Sequence, residues 1–206
     1  MQIKSIFAKN KTTKKQLLRK TMKKILLLLT FLLSIQFSVS AQSHIDVNGV
    51  TVPRKVEVLN KTLQLNGAGG RSKMWMEVYV QALYLSQLTQ DAQFIIDSDT
   101  EMAIRIEITS SMVSANKLGK AMNTGFEKSA GDNLEDLRPR IEQLKTLLSD
   151  KITEKDVFIL AYNPMDQTIN VFKNEALKGK IPGFDFKKAL FGIWLSDKPV
   201  DETLKK

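Results

Sequence analysis

The sequence predicts an α+β fold: an antiparallel β-sheet with helices layered on one face. Three observations carry this expectation. Strand-period segments dominate residues 44–108, two helix-period stripes follow over residues 114–148, and a hairpin-like pair with a closing amphipathic helix fills residues 157–195. Strands come in runs and helices in runs, which argues against the strict strand–helix alternation of a parallel sheet.

Residues 1–41 are set apart as an N-terminal leader, and residues 42–206 are read as one domain. From Met22 the chain gives Lys23-Lys24, an apolar run over residues 25–37, then Val39-Ser40-Ala41, small residues suited to signal-peptidase cleavage before Gln42. The run is short of the ~20 residues a spanning helix needs, and Ser34 and Gln36 interrupt it, so no stable membrane anchor is expected after cleavage. The expectation is a secreted, periplasmic protein. Residues 1–21 are basic and acid-free, either an extended n-region or the result of a start codon placed too early.

The leader also accounts for the formal charge of +9, because it holds nine of the 31 Lys and Arg residues and no acid. The remaining 22 basic residues balance the 22 acidic ones. A nucleic-acid partner is not expected, since that needs a basic face on the folded domain, and no zinc-finger spacing or basic helix is present. The absence of cysteine excludes disulfides, thiol nucleophiles and thiolate metal sites.

Along the domain, residues 44–53 read as a small hairpin on an Asn48-Gly49 turn. Residues 55–65 supply another strand or two. Asn66-Gly67-Ala68-Gly69-Gly70-Arg71 is expected to be a glycine turn leading into a long strand over residues 74–85. A polar connection over residues 89–100 contains Phe94-Ile95-Ile96, and residues 104–108 alternate as a half-buried strand. Ser114 is available to cap a helix with the stripe Leu118, Ala121, Met122, Gly125 and Phe126, closed by Gly131-Asp132-Asn133. Leu134, Leu137, Ile141, Leu144 and Leu148 form a second stripe, with Pro139 expected in its first turn. Residues 157–162 and 168–172 form a hairpin through Asn163-Pro164-Met165-Asp166, and a last strand includes Leu177. Asp185 is expected to cap a final helix that turns Phe186, Ala189, Leu190, Ile193 and Trp194 inward and stops before Pro199.

The chemistry gathers on the long strand. Alternation places Met74, Met76, Val78, Val80, Ala82 and Tyr84 on one face, and Trp75, Glu77, Tyr79, Gln81, Leu83 and Leu85 on the other. Without a bulge, Arg71 shares the second face. Arg71, Trp75, Tyr79 and Gln81 are therefore the candidate ligand-binding residues, and Arg71 is also the candidate catalytic residue. Its planar fork binds carboxylate or enolate-like oxygens bidentately. The plainer readings are a solvated turn arginine, a wet sheet face carrying Glu77 and Gln81, and core-filling roles for Trp75, Trp194, Met74, Met76 and Met122. For Glu77 and Gln81 the wet face is the favoured reading.

The stretch from Asn66 to Arg71, with Leu83-Tyr84-Leu85 closing the strand, resembles the chalcone isomerase family, whose members carry a Gly-Gly-Ala-Gly-Val-Arg turn and a strand ending Val-Tyr-Leu. Residues 181–186, Ile-Pro-Gly-Phe-Asp-Phe, followed by residues 189–195 and Pro199, are similar to the closing helix of bacterial chalcone isomerase-like proteins. The resemblance implies the same open-faced sandwich. It also implies that Arg71 lines a cleft, steadying a phenolate oxygen as in the enzymes or holding a carboxylate as in the fatty-acid-binding members.

The family's remaining catalytic pattern is not reproduced. Tyr79 stands where the enzymes place a threonine, and residues 110–121 contain no tyrosine and only Asn116 as asparagine. Without groups to orient water and ketone, chalcone isomerase activity is not expected. His44 is the only histidine, which excludes a His pair or a Ser-His-Asp set; no metal and no cofactor are expected, although a haem with one axial ligand from His44, Tyr79 or a methionine stays conceivable. Three functions remain. The first is binding of a small apolar molecule with an acidic or carbonyl head group, such as a fatty acid. The second is an intramolecular lyase or isomerase, and the third an interaction module with a closed cleft.

Overall fold

The computed structural model describes residues 22–24, 43–73 and 76–200. All the elements below belong to the unit Gln42–Lys206. Strands β1 (His44–Val47) and β2 (Val50–Pro53) form a hairpin of their own. Asn48 and Gly49 have φ of 53° and 82°, the pair of positive values that a two-residue turn matched to the strand twist requires. The main sheet contains β3 (Lys55–Val58), β4 (Lys61–Lys73), β5 (Met76–Leu85), β6 (Met102–Ile108), β7 (Val157–Asn163), β8 (Thr168–Lys173) and β9 (Ala176–Pro182). Each strand pairs antiparallel with the next in chain order.

The sheet curls into a half-barrel. Leu59 and Asn60 of the β3–β4 turn line the same ≈ 270 Å³ cavity as Asn163 and Met165 of the β7–β8 turn, although β5 and β6 lie between those hairpins. Helices α1 (Ala92–Asp97), α2 (Ala115–Ser129), α3 (Leu134–Leu147) and α4 (Phe184–Leu195) accompany it. The larger core joins Ile104, Ile106, Phe158 and Leu160 of the sheet to Phe126, Ile141, Leu190 and Trp194 of the helices. On the other sheet face the β1–β2 hairpin sets Val50 and Val52 against Val80, Ala82, Tyr84 and Ala103 in a smaller core.

Three local expectations are corrected. The segment from Asn66 to Arg71 is not a turn: it lies inside β4, paired with β5, and Gly67 and Gly70 have no positive φ. Gly70 instead answers a close approach, since a Cβ there would strike the Glu77 carboxylate and the Asn48 amide. Pro139 is the sixth residue of α3, not part of its first turn, because a 3₁₀ turn at Gly131–Asn133 leads straight into a helix that has begun by Leu134. Asp185 does not cap α4. Gly183 does so with φ of 118°, and Asp185 lies in the first turn, held by both terminal nitrogens of Arg140 at 2.7 and 2.6 Å.

Helix α4 is buried almost all round, including Lys187, which has no exposed surface. Lys187 Nζ donates to the carbonyls of Ile95, Ile96 and Ser98 at 2.8, 2.8 and 2.7 Å, so one ammonium caps the C-terminal end of α1. The rings of Tyr162, Phe184 and Phe191 surround it at 5.4–5.6 Å. Burial pulls Lys187 down to about 8, with Asp99 and Asp97 opposing, and the group remains an ammonium at neutral pH. Lys187→Met leaves three sequestered carbonyls without a donor, and is expected to lower stability by about 3 kcal/mol or more in urea titration, with faster amide exchange in α1. The folded value lies below the ordinary 10.5, so the unfolded chain holds this proton more tightly. Wild type should therefore gain stability relative to Lys187→Met as pH rises from about 8 towards 10.5.

Candidate ligand cleft

Two bulges shape the β4–β5 hairpin. At the first, Leu65 pairs with Tyr84 and Gly67 with Leu83, which leaves Asn66 as the extra residue of β4. Its side chain serves as a surrogate peptide group: Nδ2 donates to Thr89 O at 2.9 Å, and Oδ1 accepts from Thr89 N at 3.0 Å. The connection leading into α1 is thereby fastened beside the strand. Between them opens a cleft of ≈ 170 Å³, whose walls include Gly67, Gly69, Gln81, Leu83, Ala92, Ile95, Ile104 and Trp194. Gly67 and Gly69 pair with Leu83 and Gln81, so one face of the hairpin presents bare backbone opposite two side chains.

The second bulge lies in β5, where Arg71 pairs with Tyr79 but Ser72 pairs with Glu77, leaving Val78 extra. Val78 packs against the same core as Tyr79, and Glu77 reaches across to Asn48 Nδ2 of the β1–β2 turn. Glu77 therefore leaves the face that strict alternation gave it. Gln81 is not on a wet face either: it is 6% exposed, beneath the helix layer.

Arg71 and Tyr79 do share a face. Arg71 Nη1 donates to Tyr79 Oη at 3.2 Å, and the guanidinium carbon lies 5.6 Å from the ring centroid. Trp194 Nε1, from the last turn of α4, donates to the same oxygen at 3.3 Å. Two N–H donors thus converge on the Tyr79 oxygen, and its own O–H is left to donate elsewhere. Arg71 is half-buried and pairs with no carboxylate among the described residues. Of the candidate residues, Gln81 lines the cleft itself; Arg71 and Tyr79 sit two pairs further along the hairpin, joined to the cleft through Trp194. Trp75 and Met74 lie outside the described residues. Met122 is core, Met76 is 43% exposed, and Asn116 is exposed on the first turn of α2. Among the described residues, no three His, Cys, Asp or Glu side chains gather as a metal site.

Sequence reasoning missed the bond from Trp194, the Asn66–Thr89 pairing and the role of the 89–95 connection as a cleft wall. Lys187 left one usable signal: Phe184, Lys187 and Phe191 are spaced three and four apart, which places a lysine on an apolar stripe.

A curled antiparallel sheet with helices on one face and a cleft beneath them defines an open-faced α+β sandwich. Residues 44–206 match the family model described as chalcone isomerase-like, and the chain belongs to that family. Among solved structures, it is similar to a fatty-acid binding protein of Arabidopsis thaliana, with a TM-score of 0.61 and 15% sequence identity over 76% of this chain and 90% of that one. No curated protein sequence matches.

Tyr79→Phe removes the shared acceptor and leaves the buried indole N–H of Trp194 unpaired. The expected cost is about 1–3 kcal/mol in chemical denaturation, with altered Trp fluorescence in the folded state.

Proposed function

We propose that this is an exported protein that binds a small apolar molecule through an acidic or carbonyl head group, as a fatty acid would be bound. The observation that carries the reading is Arg71: a half-buried guanidinium whose partner is a neutral phenol rather than a counterion. An arginine so placed has N–H groups to offer an anion, and the Tyr79 O–H adds a further donor beside them. A carboxylate or carbonyl oxygen is the chemistry that suits an all-donor site. Apolar neighbours Leu83, Ile95 and Ile104 suit the rest of the molecule. The fatty-acid binding neighbour supports the same class of ligand. Export rests on the leader from Met22 to Ala41.

The test is expression of the full chain with its leader, recovery of the processed protein from the cell envelope, and mass spectrometry of the protein and of any small molecule released on denaturation. The expected results are a chain beginning at Gln42 and a released acid that is absent from Arg71→Ala. Affinity for added acids should fall about 10–100-fold in that variant, the loss of one or two charge-assisted bonds. Equal affinity in wild type and Arg71→Ala would remove the head-group assignment.

A further inference from the structure

We infer that the cleft selects a compact ligand bearing an O–H or N–H donor that bonds Gln81 Oε1, so that the substrate class is a short hydroxylated or amide-bearing acid rather than a plain alkyl chain. This rests on the head-group reading above. Gln81 Oε1 is sequestered from water and has no hydrogen-bond partner, although the residue lines the cleft. A buried acceptor without a donor is costly, and the terminal amide torsion is soft enough to meet a group entering beside it. Of the other amides at the cleft, Asn66 is satisfied by Thr89 and Gln90 is exposed to water, which leaves Gln81 as the buried side chain with an unmet demand.

Size points the same way. At ≈ 170 Å³ the cleft is smaller than the roughly 300–1,000 Å³ of pockets that enclose drug-sized ligands. Gln81 lies two residues beyond Tyr79 on one strand face, roughly 7 Å away. A carboxylate at Arg71 and a donor at Gln81 are therefore bridged by a chain of roughly six carbons.

The experiment is calorimetric titration of the protein with hexanoate, 6-hydroxyhexanoate and 6-methoxyhexanoate. Wild type should bind the hydroxy acid about tenfold more tightly than hexanoate, and the acceptor-only methoxy acid no better than hexanoate. Gln81→Leu should abolish that preference and raise the Tm, because it deletes an unpaired buried acceptor. Gly67→Val should block all three ligands without unfolding the chain, since a Cβ there meets nothing within 4 Å. Equal binding of hydroxy acid and hexanoate, a methoxy acid as tight as the hydroxy acid, a lower Tm in Gln81→Leu, or unchanged binding in Gly67→Val would each overturn the inference. In those cases the weakening of all three acids by Arg71→Ala would still uphold the head-group reading. Failure of every acid to bind wild type would sink both.

Discussion

Everything at the cleft depends on where α4 is held, and one ammonium group contributes most visibly to that. Lys187 ties the end of α1 to α4 through three carbonyls, while Trp194, two turns later on the same helix, reaches the hydroxyl of Tyr79. The cleft wall and the Tyr79 hydroxyl are thus referred to one rigid element. A buried charge is a poor source of net stability, because desolvation opposes it. Its value here is geometric: three converging acceptors hold the end of α1 against α4.

Most of the architecture was legible because it rests on periodicity. The β1–β2 hairpin follows from Asn48-Gly49, α2 begins at a Ser114 cap, and the inward residues of α4 are those its stripe names. These features depend on residues within a turn or two of one another. The cap of α4 was misread for the opposite reason. Arg140 reaches Asp185 from another helix, and its nitrogen occupies the space where a side chain at residue 183 would go. Nothing local distinguishes that aspartate from a cap.

The site was harder to read because a strand's alternation carries no mark of where it breaks. One extra residue at Val78 sends Glu77 to the opposite face, and one at Asn66 frees an amide to hold the neighbouring connection. Glycine was an ambiguous witness. The cluster from Gly67 to Gly70 suggested a turn, yet its function in the structure is to keep the hairpin bare where other groups come close or a cleft opens. Arg71 and Tyr79 stayed together only because the second bulge falls just beyond their pairing.

The resulting site is polarised along its length. At one end Arg71 and Tyr79 offer donors, and Trp194 spends its N–H on holding the phenol in place. At the other end Gln81 carries a sequestered, unpaired acceptor beside apolar walls. The proposed ligand matches this arrangement, with acceptor oxygens at its head and a donor further in, and the reversed orientation would mismatch both ends. The fold supplies the cleft, but the direction proposed for a ligand within it rests on individual side chains, above all Tyr79 and Gln81, because function resides in the site and not in the fold.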